Sequence, residues 1–310
     1  MNNMSALKVV GLNKSFGSVE ALKNLDLAIE PGCFFGLLGP NGAGKSTFMS
    51  IISGFLQQDT GSIKLFGELL NPADPGQKKL IGLAPQNIAL YKELSAEANL
   101  SLFGKLQGLR GARLKARVDE ALKLAQLEER RKSLVKEFSG GMKRRLNIAV
   151  ALLHHPKILL CDEPTVGVDP QSRNAIFETL LGLKEQGLTV LYSTHYMEEA
   201  ERLCDRIGII DHGKILRDGE LDKLLQELPD IDRIVIRRAN LDSQYRDAFG
   251  RFGELEEHNG SCHLKPASGF RLSAFYRWVE EENMDARDFV VERPSLENLF
   301  LQLTGRDLRE

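Results

Sequence analysis

The sequence predicts an α/β fold in which helices cover a parallel sheet, followed by a smaller α+β unit. Three observations carry that expectation. Short apolar runs alternate with segments of helical periodicity from residue 33 onward, the pattern of strands buried on both faces. A glycine-rich loop sits between one such run and a helix-length segment. The character of the chain then changes around Glu227-Leu228-Pro229-Asp230, where a domain boundary is expected.

Residues 7–10 and 25–29 alternate as strands and are stopped by Pro31-Gly32. Residues 33–38 form an apolar strand, and 46–52 the helix after the glycine-rich loop. Residues 62–67 and 80–84 read as further strands, the second ending at Pro85-Gln86. Leu114, Val118, Ala121, Leu122 and Ala125 recur every three or four residues, so a helical insertion is expected over about 87–155. Strand 158–161, a helix carrying Ile176, Phe177 and Leu180, and strand 188–192 continue the alternation. Residues 207–216, broken at Asp211-His212-Gly213, read as a closing hairpin.

The remaining stretch, 229–310, reads as strand (Ile234, Ile236), helix (241–249), a hairpin around Asn259-Gly260, helix (Leu272, Phe275, Tyr276, Val279), strand (289–291) and a final helix after Pro294-Ser295. That βαββαβ order suggests a ferredoxin-like sandwich. The domains expected are therefore 1–228 and 229–310.

With 310 residues, a net charge of −2 and a pI near 6.4, the chain has no global basic field, and no nucleic-acid partner is expected. The cluster Lys143-Arg144-Arg145 reads as one solvated turn of helix. Cysteines 33, 161, 204 and 262 form no C-x-x-C pair, which argues against a zinc site or a disulfide framework; Cys33 and Cys161 read as small core residues. Neither a secretory leader nor an apolar run long enough to span a bilayer is seen, so a membrane role is expected to come through a partner.

The chemistry is concentrated in three motifs. Gly39-Pro40-Asn41-Gly42-Ala43-Gly44-Lys45-Ser46-Thr47 fits G-x-x-x-x-G-K-[ST]. Its glycines let backbone N–H groups curl around phosphate oxygens, Lys45 meets the β- and γ-phosphates, and the Ser46 hydroxyl can ligate Mg²⁺. Asp162-Glu163 ends an apolar strand: Asp162 suits Mg²⁺, and Glu163 can deprotonate an attacking water. Ser139-Gly140-Gly141 opens a helix, both as an N-cap and as a second anion cradle.

Taken together, these residues resemble the ATP-binding subunit of an ATP-binding cassette (ABC) transporter. Phe138-Ser139-Gly140-Gly141-Met142 resembles the family signature Leu-Ser-Gly-Gly-Gln and lies upstream of the aspartate–glutamate strand, as in the family. Phe16 matches the aromatic that stacks on adenine, Gln86 the Q-loop glutamine, Asp169 in Gly167-Val168-Asp169 the D-loop, and His195 the switch histidine. Met142 in place of Gln forfeits a polar contact, and Phe16 in place of Tyr forfeits a hydroxyl. The segment 194–219 and the terminal Pro294-Ser295-Leu296-Glu297-Asn298-Leu299-Phe300 resemble the daunorubicin-resistance and multidrug branch of bacterial exporters.

The resemblance implies a P-loop NTPase with a RecA-like parallel core, an antiparallel β subdomain and a helical insertion. It implies catalytic roles for Glu163, His195 and Gln86, and Mg²⁺ held by Ser46, Gln86 and Asp162. It also implies a head-to-tail pair of cassettes, each ATP lying between the phosphate loop of one and Ser139–Gly141 of the other. The partner would be a separately encoded membrane permease whose coupling helix meets residues 87–102, so that the chain is cytoplasmic and peripheral to the inner (cell) membrane. The alternative is a soluble ABC ATPase with a non-transport role. The C-terminal unit is open to two readings, a stabiliser of the cassette pair or a ligand sensor. The cargo is not encoded in these motifs.

Overall fold

A computed structural model of the chain describes residues 5–226, 228, 233–237, 248–258, 261–292 and 294–305. It divides into two compact units, the first running to Leu221 and the second spanning Asp222–Asp307.

The first unit opens with the antiparallel strands β1 (Leu7–Phe16) and β2 (Val19–Ile29). Then come β3 (Phe34–Leu38), α1 (Lys45–Ile52), β4 (Thr60–Leu65), β5 (Glu68–Leu69), α2 (Pro75–Lys78) and β6 (Ile81–Ala84). Helices α3 (Ala96–Leu106), α4 (Gly111–Leu124) and α5 (Gly140–Ala151) form the insertion. The chain returns through β7 (Ile158–Asp162), α6 (Pro170–Glu185), β8 (Thr189–Thr194), α7 (Met197–Leu203), β9 (Arg206–Asp211) and β10 (Lys214–Glu220), and α8 (Leu221–Leu225) carries it from the first unit into the second.

Six strands form the central sheet in the order β10-β9-β3-β8-β7-β6, parallel except for the β9–β10 hairpin. A four-stranded antiparallel sheet, β2-β1-β4-β5, lies apart from it in pairing. Strands β3, β7 and β8 are buried along their whole length, which is why they read as unbroken apolar runs. Successive side chains point to opposite faces. Phe35 and Leu37 join Leu27, Ile29, Phe48 and Ile52 in one core, whereas Phe34, Val190 and Tyr192 join Ile176, Phe177 and Leu180 on the other side. A third core, including Leu100, Val118, Leu122 and Leu146, holds the helical insertion together.

Two details differ from the sequence expectation. Strand β4 stops at Leu65, because Phe66 (φ 48°) and Gly67 (φ 86°) turn the chain back into β5. The cluster Lys143-Arg144-Arg145 is not simply a solvated face. Arg144 is buried and donates to the Pro85 carbonyl at 2.8 Å, and Arg145 donates to the Ala125 carbonyl at 2.8 Å. A guanidinium can go inside when carbonyls meet its fixed fork of donors, which a charge pattern does not reveal.

In the second unit, β11 (Arg233–Ile236), β12 (Gly253–His258), β13 (Ser261–Pro266) and β14 (Phe289–Glu292) form an antiparallel sheet in the order β12-β13-β11-β14. The helix Leu272–Glu281 presents Phe275, Trp278 and Val279 to a core with Ile234, Ile236, Leu264 and Phe289. A last helix, Leu296–Thr304, starts with a capping box between Ser295 and Asn298. The described elements run strand β11, strands β12 and β13, a helix, strand β14 and a final helix, with β13 and β11 at the centre of the sheet. The expected Asn259-Gly260 turn, most of the 241–249 helix, and Glu227, Pro229 and Asp230 of the expected boundary lie outside the described residues.

Candidate active site

The glycine-rich loop joins the buried end of β3 to α1 by a tight path. Gly44 has φ 109°, a conformation that L side chains rarely adopt, and forms the N-cap of α1. Gly39 allows a close approach: a Cβ there would lie 2.1 Å from the Ile210 carbonyl oxygen. The turn between β9 and β10 braces the loop, with Gly213 donating its backbone N–H to Ala43 O at 2.9 Å and accepting from Lys23 at 2.9 Å. The N-terminus of α1 therefore presents backbone donors from a fixed frame, which suits a phosphate.

Lys45 is almost fully buried. Its Nζ donates to Gly39 O at 2.7 Å and Pro40 O at 3.1 Å and lies 3.0 Å from Glu163 Oε1. Glu163 follows β7 with φ 45°, an uncommon left-handed backbone for a non-glycine residue, and its N–H donates to Ser193 Oγ at 3.0 Å. Its carboxylate accepts from Gln86 Nε2 at 2.9 Å and faces His195 Nδ1 at 3.3 Å. Residues 45, 86, 163 and 195 come from four segments, and the parallel sheet gathers them because the relevant strands all end on the same side. One step earlier, the buried Asp162 accepts from Ser193 Oγ at 2.7 Å.

A cavity of about 840 Å³ lies over this group. It is lined by Asn41, Gly42, Gly44, Lys45, Ser46 and Thr47 of the loop. Gln86, Glu163 and His195 complete the predicted part of its wall. Ser18, Glu20, Lys23 and His212 also line it; they come from β2 and the hairpin turns, where nothing in the local pattern marks them. Phe16 is half exposed at the end of β1, with Lys14 Nζ 5.6 Å from its ring centroid, and lies outside that lining.

Ser139, Gly140, Gly141 and Asp169 form a second grouping, separate from the cavity wall. Ser139 caps α5 by accepting from Met142 N at 3.2 Å, and Asp169 caps α6 by accepting from Ser172 N at 2.9 Å. That backbone donor holds the Asp169 carboxyl below the usual range. The two helix starts abut: a Cβ on Gly141 would meet Ser172 Oγ at 2.1 Å and Asp169 Oδ1 at 3.4 Å. Met142 packs against the insertion core.

A family profile described as ABC transporter matches residues 22–166, a span holding the loop, Gln86, Ser139–Gly141 and Glu163. The linearmycin resistance ATP-binding protein LnrL of Bacillus subtilis is 40% identical over 98% of this chain and 100% of its own length. The chain belongs to the ATP-binding cassette family of ABC transporters. The daunorubicin resistance ATP-binding protein DrrA3 of Streptomyces coeruleorubidus is 37% identical over 98% of each chain, and a Nod factor export ATP-binding protein I of Cupriavidus metallidurans 36% identical over 98% of this chain and 99% of its own. Among solved structures, an ABC transporter ATP-binding subunit covers 72% of this chain and 93% of itself at 31% identity and a TM-score of 0.65. A dimeric cassette in a post-hydrolysis state with ADP and Pi covers 69% of this chain and 98% of itself at 31% identity and 0.62. The chain is thus an ABC ATPase that binds and hydrolyses ATP.

In this ABC ATPase the sequence patterns passed over Glu199, on α7. Its buried carboxylate accepts from Thr165 Oγ1 at 2.7 Å, Tyr192 Oη at 2.8 Å and Thr194 Oγ1 at 2.9 Å. Thr165 lies two residues after Glu163, and Thr194 one before His195, so one carboxylate ties together the turns that aim both. Burial, then the charge of Glu199, push the Tyr192 phenol well above its ordinary range. The signal that could have found Glu199 is an acidic residue four positions after His195 on an otherwise core-facing helix turn, next to Ala200 and Leu203.

Proposed function

We propose that this chain is the energy-supplying subunit of an exporter, docked on a separately encoded membrane permease and paired head to tail with a second cassette. One observation carries the reading: the Glu163 carboxylate, over a phosphate-binding loop, is contacted at once by Lys45, Gln86 and His195. ATP enters with its phosphates on the backbone donors of residues 39–47. Lys45 exchanges its contact with Glu163 for the β- and γ-phosphate oxygens, which leaves the Glu163 carboxylate to orient a water and accept its proton. His195 faces the same carboxylate oxygen and senses the γ-phosphate; Gln86 links the site to the insertion through its own loop, since Pro85 O accepts from Arg144 of α5.

The residues present also fit Mg²⁺. Ser46, Gln86 and Asp162 offer hard oxygen donors, and the described residues hold no cluster of three His, Cys, Asp or Glu side chains, as suits a cation that keeps waters and phosphate oxygens. When bound, the ion neutralises charge on the β- and γ-phosphates.

Pairing is supported by where the second cradle sits. Ser139–Gly141 do not line this chain's own cavity, which supports the reading that they complete that of another copy. Export is supported by relatives named for drug resistance and Nod factor export. No helix among the described residues is long and apolar enough to cross a membrane, and the exposed Ile88 and Tyr91, just before α3, suit a permease coupling helix. On this reading the chain works at the inner face of the cell membrane, held there by the permease. Residues 1–228 form the cassette and 229–310 an accessory domain that stabilises the pair, a division supported by the compact units meeting at Leu221 and Asp222.

The test is Glu163→Gln. Turnover at saturating ATP is expected to fall about a hundredfold or more while ATP binding persists. A variant that hydrolyses at the wild-type rate would refute the role given to Glu163.

A further inference from the structure

A second large cavity, about 630 Å³, lies at the opposite end of the strands from the nucleotide site, where β7 and β8 begin. Its size falls within the roughly 300–1,000 Å³ of small-molecule sites. Its wall is apolar, built from Phe66, Leu124, Leu152, Leu183 and Leu188. Its polar lining is mostly of one sign: Arg117, Lys123 and Lys157 against the single carboxylate of Glu120. In a chain of net charge −2 this is a local reversal.

The cations are not equivalent. Arg117 is buried and committed, donating Nε to Leu153 O at 2.8 Å, Nη2 to Leu152 O at 2.6 Å and Nη1 to Glu120, so it caps α5 and uses up the one carboxylate. Lys123 and Lys157 have no carboxylate within ion-pair range among the described residues. Lys157 Nζ lies 5.4 Å from the Phe66 ring centroid, which places a cation beside the apolar wall. Two exposed ammonium groups at the edge of a greasy cleft complement an anion with an apolar body.

The cleft also spans two parts of the cassette. Ala121 and Leu124 belong to α4, Ala149 to α5 and Leu152 to the C-cap of α5, all in the insertion; Pro156, Lys157, Leu188 and Thr189 lead into or begin core strands. Those strands end at Glu163 and His195, and α5 begins beside Ser139. We propose that this cleft binds a small amphiphilic carboxylate, its head on Lys123 and Lys157 and its chain against Phe66 and Leu188, and that occupancy restrains the insertion and so slows ATP turnover.

The test titrates the purified full chain with decanoate below its micellar concentration, by calorimetry and with ATP turnover read in parallel. Decanol and decylamine serve as neutral and cationic counterparts. Saturable one-to-one binding is expected, at least tenfold tighter for decanoate than for either counterpart, with turnover reduced at least twofold at saturation. Lys123→Glu/Lys157→Glu, which changes only exposed residues, is expected to weaken decanoate at least tenfold and leave turnover without decanoate unaltered. The milder Lys123→Gln/Lys157→Gln should weaken it in the same direction, a check should the reversed pair not fold. Any of the following overturns the proposal: no saturable binding, equal binding of decanol or decylamine, unchanged affinity in both double variants, or unchanged turnover at saturation.

Discussion

Lys45 is 4% and Glu163 5% exposed and they lie 3.0 Å apart, so neither charge is well hydrated and each depends on the other and on the carbonyls around Lys45. Phosphate oxygens offer Lys45 a stronger partner. Lys45→Ala is expected to weaken ATP binding about tenfold to a hundredfold, the worth of one or two charge-assisted contacts, as read by equilibrium titration with a fluorescent nucleotide. His154 shows a different use of burial. Its Nε2 lies 3.0 Å from Ile81 O while Nδ1 is buried without a partner, and burial lowers its pKa below 6.5. The unfolded chain takes up the proton near the ordinary value and the fold resists it, so stability is full above that value and falls as pH drops through the window beneath it, until the folded pKa is passed. His154→Asn should flatten the loss of thermal stability as pH falls below about 6.5, read from melting temperatures across a pH series. It will not abolish the loss, because burial shifts His155 the same way. At this scale the phosphate loop was legible because it is contiguous. Glu199 was not, because its hydroxyl partners lie 5, 7 and 34 residues away and only the fold assembles them.

Helix α5 shows how one element serves two sites. Its first turn carries Ser139 as N-cap and packs Gly141 against Ser172, leaving no room for a side chain. One turn later Arg144 donates to Pro85 O, and Asn147 accepts from Ala89 N at 3.2 Å, so the helix clamps the Gln86 loop from both sides. Helix α7 does the same for Glu163 and His195 through Glu199. Glu199→Ala removes the shared acceptor of three buried hydroxyls, of which only Thr165 and Tyr192 can turn to each other; kcat is expected to fall at least tenfold with little change in nucleotide affinity. Glu199→Gln keeps the shape and one acceptor and should restore most of the rate, as steady-state kinetics will read. Equal loss of affinity and rate in both variants would mean that Glu199 only supports the fold. Strands β3, β7 and β8 of the central sheet were readable from apolar runs alone, since both of their faces are buried. The end of β4 was not, because a left-handed Phe66 has no sequence signature comparable to that of glycine.

The molecule as a whole joins a nucleotide-binding unit with a parallel core to a small unit with an antiparallel sheet. What the sequence could not mark is the separation between the cavity over Lys45 and the cradle at Ser139, since both are local motifs and their spacing in three dimensions is set by the sheet and the insertion. That separation supports what the family resemblance implied, that two copies share each ATP. It makes turnover a property of the pair. The most direct measurement is therefore ATP turnover per chain as a function of chain concentration, with the purified protein and saturating ATP and Mg²⁺ in the absence of permease. Turnover per chain should rise with concentration and then level off as pairs saturate; a constant rate at every dilution, from a species that remains monomeric with ATP, would contradict the shared site.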